Sequence, residues 1–547
     1  MASAAVLLLL LGLLAVRPGW VRRADRLLLR LLTALGAHPV LFSLALGGFV
    51  LAGCALAAAV LGVARPWTHD EFSYLLLADT FAHGRLANPV HPLWRHFESF
   101  QILQRPHYAS KYFPAAGVVL ALGQVVFGHP IAGVWLGAVL ASLALHWMLR
   151  QWLPPRWAVL GAGLYVLQVC ILDGWSHTYW GGHVASIGGA LCLGAAARLA
   201  RRPTAGCAAS FALGAWILAN SRPYEGLVVF SVALALMLRR AWQQRERPGF
   251  VRAAGRAGAL AALLLALGMG ATGVYNAAVT GHFWEPPYLL YEQTFRSAPL
   301  FAFQAPKPVA EPESSIGRVR EDSNLEGWSG ASGWLHRTEF VGGWIQRFFL
   351  PKRARWALLM LPLLLLGRSS RGPVMGLAVC VVASILPYWF LPHYAAPYAP
   401  LVALVELLCL RRLRLLQLWG RPLGSALLLW MLLAAGFGFL RNGAHQLLHP
   451  PPARPDRMAS VAPLTRDARR HLVIVHYGPG HSYHREWVYN GADIDASKIV
   501  WARDLGPEAN RELLDYYRDR TVWLLRYEDD AHISLVPYPA KPSEKPS

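Results

Sequence analysis

Two acidic side chains stand side by side in the run Thr68-His69-Asp70-Glu71-Phe72-Ser73-Tyr74, directly after a long apolar stretch. A carboxylate placed there either takes a proton from a reacting hydroxyl or caps the helix that begins beside it, with its neighbour favouring the helix dipole. Lys111 closes the polar run Arg105-Pro106-His107-Tyr108-Ala109-Ser110-Lys111, ahead of a second apolar stretch over residues 112–127. Its ammonium either holds an anion or snorkels above an apolar helix. Arg222, in Asn220-Ser221-Arg222-Pro223-Tyr224-Glu225-Gly226, can grip a phosphate with two parallel hydrogen bonds or pair locally with Glu225. His177 and His183 lie six apart in Asp173-Gly174-Trp175-Ser176-His177-Thr178-Tyr179-Trp180-Gly181-Gly182-His183. They are open to sugar or phosphate contact, to interfacial anchoring, or, with Asp173, to a divalent metal, although this spacing is no recognised ligand motif. No cofactor is otherwise called for.

These groups have to be positioned by membrane helices. Of 547 residues, 55% are hydrophobic and 15% charged, too apolar for an ordinary soluble enzyme. Apolar runs long enough to cross a hydrocarbon layer of about 30 Å cover residues 39–63, 130–149, 157–172, 184–200, 204–219, 227–238, 257–279, 355–366, 373–390, 396–410 and 422–440. The pattern predicts an α-helical polytopic membrane protein with eleven spans. Residues 2–16 are a candidate twelfth, read as a retained segment because arginines follow the apolar run instead of preceding it.

The formal charge of +21 is a topology signal and not a nucleic-acid footprint. Residues 17–38, 150–157, 198–203, 239–256, 368–372 and 411–421 hold 22 arginines against Asp25 and Glu246, or +20 of that total. All six loops fall on one side when every span is counted, and such loops face the cytoplasm. Residues 64–129, 173–183, 220–226, 280–354 and 391–395, with everything from residue 441 onward, are therefore expected outside. All six cysteines fall within spans, where buried apolar thiols are the expected reading.

Three segments follow: residues 1–38, an apolar leader and basic cytoplasmic loop; 39–440, the transmembrane domain; and 441–547, a Pro-rich linker at 450–455 and a small external α/β domain. Strands are expected at residues 471–477, 498–502 and 521–527, with an amphipathic helix at 507–518. His471, His476, His481 and His484 straddle a strand and a turn and read as solvated loop histidines. The segment 280–354, with a polar centre at 311–326, reads as a mobile lid or an ordered cap. In it His336 and Glu339 read as a solvated helix pair. Residues 75–81 are expected to lie as an amphipathic helix along the membrane.

A transporter would be expected to carry its ionisable groups within the spans, which here are nearly free of them. Polar density sits instead at the outer mouth. An enzyme working there lacks cytosolic nucleotide sugars, so its group donor must arrive on lipid. The order of elements resembles the GT-C superfamily of polyprenyl-phosphate-sugar-dependent glycosyltransferases, particularly the branch with protein O-mannosyltransferases and lipid A aminoarabinose transferases. The resemblance rests on a long first span, the Asp70-Glu71 motif, an interfacial helix, Lys111-Tyr112-Phe113-Pro114, a second interfacial helix, and a span ending in Arg150. Pro392-His393-Tyr394, with Pro397 and Pro400, is similar to that branch's aromatic-proline element. The branch often has Lys-Pro-Pro where this chain has Lys-Tyr-Phe-Pro.

The resemblance implies a GT-C-like fold over residues 39–410 and an enzyme of the inner membrane with its site and tail external. Asp70 is implied as general base with Glu71 supporting it, Lys111 as the lysine on the donor phosphate, and Tyr394 among the substrate-binding residues with His177 and His183. It also implies a polyprenyl-phosphate sugar donor, inversion at the sugar carbon, and a lipid, glycan or protein acceptor. Two other readings stand: a transporter or ligase of lipid-linked saccharides, marked by a polar path through the spans, and a non-catalytic scaffold, in which Asp70 could not approach Lys111 or Arg222.

Overall fold

Helix starts follow the prolines. Pro18, Pro39, Pro114, Pro155, Pro223 and Pro287 each open a helix, where a missing N–H costs nothing and a fixed φ suits the first turn. The computed structural model describes residues 12, 17–172, 174–180, 182–305, 330–349, 354–449, 457–479, 481, 484–529 and 532–539. Most of the leader at 2–16, Asp173, the polar centre at 311–326 and the linker at 450–455 lie outside the described residues.

Each of the eleven expected spans falls on helix. Among the described residues, five helices are long and apolar enough by themselves to cross a membrane: Pro39–Leu61, Ile131–Trp152, Phe250–Thr280, Pro392–Leu413 and Leu423–Leu448. Others are shorter or broken. The expected span at 157–172 is an α-helix, Pro155–Tyr165, continued by a π turn, Val166–Cys170. That at 355–366 is a 3₁₀ segment, Ala354–Met360, followed by Leu361–Leu366. The architecture is that of a polytopic helical membrane protein.

Residues 17–38, expected as a loop, hold a helix instead, Pro18–Ala37, that buries Val21, Asp25, Leu32 and Gly36 on one side. Its apolar and arginine faces separate at helical spacing, so it forms as an amphipathic element. The basic segments meet one another: Arg414 Nη2 lies 2.6 Å from Asp25 Oδ2, Arg22 donates to Gly420 O at 2.8 Å, and Arg201 donates to Gln151 O at 2.6 Å. One end of the bundle thus carries the arginines. If that end is cytoplasmic, a thiol-specific, membrane-impermeant reagent applied outside will label Tyr516→Cys but not Trp419→Cys, whose parent residues are 45% and 88% exposed. Labelling of Trp419→Cys alone would reverse the orientation. The six native cysteines are buried and free, so their background labelling is low.

The helix expected to lie on the membrane, now His69–Ala82, is covered on nearly all sides, with Phe72, Tyr74, Leu76, Leu77 and Ala78 buried. The helix Pro114–Phe127 packs on one flank, and the C-terminal domain takes the other. Leu76, Phe97, Ile102 and Tyr108 share a core with Leu472, Ile474, Val500 and Leu513. Polar contacts reinforce the seam. Asp79 Oδ2 accepts from Ala492 N at 2.7 Å, Tyr108 Oη donates to Asn490 O at 2.8 Å, and Arg503 Nε donates to Glu98 O at 2.5 Å.

The segment 64–129 also holds a two-residue ladder, β1 (Ile102–Leu103) and β2 (Ala109–Ser110). The C-terminal sheet is built of β3 (His471–Tyr477), β4 (Ile499–Arg503), β5 (Thr521–Asp529) and β6 (His532–Pro537) in the order β4-β3-β5-β6. In it β3 runs parallel to β4 and β5, and β5 pairs antiparallel with β6. The helix expected at 507–518 is Pro507–Tyr516 and connects β4 to β5, and β6 is an addition to the expected strands. Close backbone approach brings the site segment into place: a Cβ on Gly189 would meet Pro397 O at 1.8 Å, so only glycine lets the turn Pro392–Tyr398 lie against the helix Gly182–Leu199.

Candidate active site

A cavity of about 700 Å³ opens where the segment 64–129, the turn before Pro223–Trp242, the helix Pro287–Phe295 and the segment around Tyr394 meet. Of the residues singled out in the sequence, Asp70, Lys111, Arg222 and Tyr394 line it together. Glu71, His177 and His183 do not.

Asp70 stands in the first turn of His69–Ala82. Its carboxylate accepts a hydrogen bond from the Tyr112 hydroxyl and lies 3.7 Å from His69 Nε2. Tyr112 is held by stacking on Tyr74, ring centroids 4.2 Å apart and planes within 7°. Burial pushes the Asp70 carboxyl up, but His69, the Tyr112 hydroxyl, Lys111 and His393 outweigh it and hold the group at about 2. The folded-state value lies below the ordinary one. Ionised Asp70 therefore stabilises the fold at pH values above the ordinary carboxyl range, and that contribution drains away as pH falls through about 2. Infrared difference spectra are expected to show the protonated-carboxyl band that Asp70→Asn removes only near that pH; a midpoint between 5 and 7 would contradict this electrostatic account.

Glu71 is 1% exposed and turned the other way. Its Oε2 accepts from Trp67 N at 3.1 Å and Thr68 N at 3.3 Å, and its Oε1 accepts from Tyr179 N at 3.3 Å. Burial raises its pKa against the pull of these bonds. The second acid of the pair thus clamps the helix start to the segment around Tyr179 and does not line the cavity.

Lys111 is 2% exposed, its Nζ 2.9 Å from Glu292 Oε1 and 4.7 Å from the ring centroids of both Tyr288 and Tyr291. Arg296 Nε lies 3.2 Å from the same carboxylate oxygen. One buried anion therefore holds two cations at the cavity wall. The guanidinium carbon of Arg222 lies 3.9 Å from the Tyr394 ring centroid, and burial, Tyr394, Tyr74 and Glu225 set its electrostatic surroundings. Asp70 thus shares the cavity with Lys111, Arg222 and Arg296, cations of a kind that can hold an anion.

His177 hydrogen-bonds Ile171 O at 2.9 Å and His183 hydrogen-bonds Ser176 Oγ at 3.0 Å; both hold their loop from beneath. What that loop presents to the cavity is Trp180. Three further residues come from the segment after Thr280 and from the tail. Glu292 and Arg296 sit four apart on Pro287–Phe295 and the residue after it, a counter-ion spacing visible in the sequence. His484 lines the cavity and stacks on His69, centroids 5.4 Å apart, so this tail histidine is part of the site and not a solvated loop residue. His471 is buried in the sheet, while His476 pairs with Asp504 at 2.8 Å. Among the described residues, no group of three or more His, Cys, Asp or Glu converges as a metal ion requires.

No family model matches the chain, and no curated protein matches it. Among solved structures it is similar to ArnT from Cupriavidus metallidurans bound to undecaprenyl phosphate, at 12% identity and TM-score 0.49, over 89% of this chain and 92% of that one. It is also similar to the oligosaccharyltransferase AglB from Archaeoglobus fulgidus in complex with an inhibitory peptide and a dolichol-phosphate, at 12% identity and TM-score 0.45, over 89% of this chain and 69% of that one.

Proposed function

We propose that this protein is a GT-C-type glycosyltransferase of the inner membrane that moves a sugar from a polyprenyl-phosphate donor to a lipid, glycan or protein acceptor on the external side. The observation that carries the reading is the single cavity shared by Asp70, Lys111 and Arg222. Asp70, already ionised, takes the proton of the acceptor hydroxyl as its oxygen attacks the anomeric carbon. The bond from that carbon to the phosphate oxygen breaks, and its electron pair leaves with polyprenyl phosphate. Lys111, Arg222 and Arg296 hold the charge that develops there. One displacement with one base inverts the sugar carbon. The Tyr112 hydroxyl orients the base and gives way when the acceptor supplies its own hydrogen bond.

The transporter reading needs a polar path through the spans. Glu406, buried in Pro392–Leu413, faces a separate hollow of about 20 Å³, which favours the enzyme. The scaffold reading needs Asp70 kept from Lys111 and Arg222, whereas they line one space.

The test is donor binding and turnover by purified protein in lipid nanodiscs. Lys111→Ala and Arg222→Ala are each expected to weaken binding of a polyprenyl-phosphate sugar about ten- to a hundredfold, since a charge-assisted contact contributes about 1.5–3 kcal/mol. Unchanged donor affinity in both would leave these residues as an anchor and a turn, and the reading would fail.

A further inference from the structure

The helix Pro18–Ala37 is long enough to cross a membrane and does not. Its 20 residues extend about 30 Å, yet both of its ends meet the same end of the bundle. Near its start Val21 packs against Ala426, and Arg22 donates to Gly420 O. One turn on, Asp25 pairs with Arg414. Near its finish a Cβ on Gly36 would meet Pro155 Cβ at 2.9 Å. These partners all lie in or beside the basic segments 411–421 and 150–157, so the helix runs across the arginine-bearing end of the bundle instead of along its axis.

Three sectors divide its surface at the three- and four-residue spacing of a helix. Val21, Asp25, Leu32 and Gly36 face the protein. Trp20, Leu27, Leu31 and Leu35 form an exposed apolar sector, and Arg23, Arg26 and Arg30 an exposed cationic one beside it. Those three arginines have no ion pair among the described residues. Of the two acids set against the 22 arginines of the basic segments, Asp25 is taken by Arg414, and Glu246 by Arg245 at 3.1 Å. Negative charge to balance this helix has to come from outside the chain. A second copy of the chain would set arginine against arginine, and a soluble acidic partner would leave the leucines in water. Anionic phospholipid suits both sectors at once, with headgroup phosphates for the guanidiniums and acyl chains for Trp20 and the leucines.

We infer that Pro18–Ala37 lies in the plane of the bilayer and gathers anionic phospholipid from the leaflet around it through Arg23, Arg26 and Arg30. None of these residues lines the cavity, so the inference stands apart from the proposed reaction.

The six native cysteines are buried, so a fluorophore can be attached at Leu27→Cys, Leu31→Cys or Leu35→Cys of the full-length protein in nanodiscs. Quenching is read with phosphatidylglycerol or phosphatidylcholine carrying a spin label at a chosen depth of the acyl chain. A label just below the headgroups is expected to quench all three sites alike, because an in-plane helix holds them at one depth. A steady change from 27 to 35, about 12 Å along a spanning helix, would overturn the orientation. At Leu31→Cys, spin-labelled phosphatidylglycerol is expected to quench at about fivefold lower mole fraction than phosphatidylcholine, the attraction of one arginine near an anionic surface, or lower still if all three contribute. Arg23→Gln, Arg26→Gln and Arg30→Gln together are expected to abolish that preference and leave quenching by phosphatidylcholine unchanged. Equal quenching by both lipids with the arginines intact would show an apolar anchor without lipid selection. A preference that survives the triple substitution would assign it to other arginines, and quenching by neither lipid would mean that protein covers the face; each of the three overturns the inference.

Discussion

Asp70→Asn is expected to lower sugar transfer about 10²- to 10⁴-fold while leaving donor binding and folding close to wild type. Asparagine keeps the volume and can still accept the Tyr112 hydroxyl, but it cannot take a proton. A loss of this size exceeds what a missing helix cap at this position could produce, which costs about 1 kcal/mol of stability and leaves rates of the folded protein untouched. Glu71→Gln is the contrast. Its carboxylate ties Trp67, Thr68 and Tyr179 together beneath the cavity, so the substitution is expected to lower stability more than turnover per folded molecule. The assay is transfer from a polyprenyl-phosphate sugar by variants matched for folded protein. Near-normal turnover in Asp70→Asn with none in Glu71→Gln would move the base to Glu71.

Glu292→Gln is expected to destabilise the ligand-free protein by about 3–5 kcal/mol, the usual result of removing one partner from a buried ion pair. The substitution leaves Lys111 and Arg296 buried together without their shared counter-ion. An anionic ligand in the cavity would replace what was lost. Polyprenyl phosphate at a hundredfold excess over its dissociation constant adds about 2.7 kcal/mol to any protein that binds it only when folded. At one fixed ligand concentration the freed cations are expected to bind the phosphate more tightly, so thermal unfolding should show a larger ligand-induced rise for Glu292→Gln than for wild type. An unaltered melting temperature without ligand would mean that Glu292 does not hold the two cations.

The spans were legible because long apolar runs end in arginines and restart at prolines, both local signals. Irregularity within a run was not legible from hydropathy: a π turn continues one helix at Val166–Cys170, and a 3₁₀ segment leads into another that Pro362 helps to open. Asp70, Lys111 and Arg222 could be picked out because each is a charged group beside an apolar edge. Their neighbours could not. Glu292 and Arg296 show a counter-ion spacing, but their partner Lys111 lies 181 positions earlier, a pairing that only the tertiary fold creates. The helix His69–Ala82 carries apolar residues on several faces, which read as a membrane surface helix; the docked sheet, with Leu472 and Val500 against Leu76, supplies the second burial face. His177 and His183 bond to Ile171 O and Ser176 Oγ and do not line the cavity, an inward turn that their residue types and spacing do not reveal.

The most direct measurement is the position of the lipid phosphate in an experimental structure of the protein with polyprenyl phosphate. The account predicts the phosphate within hydrogen-bond reach of Lys111 and Arg222, facing Asp70 across the cavity, with the polyprenyl chain leaving toward the membrane. A phosphate bound at the arginine-rich end of the bundle, with this cavity holding no lipid, would contradict it.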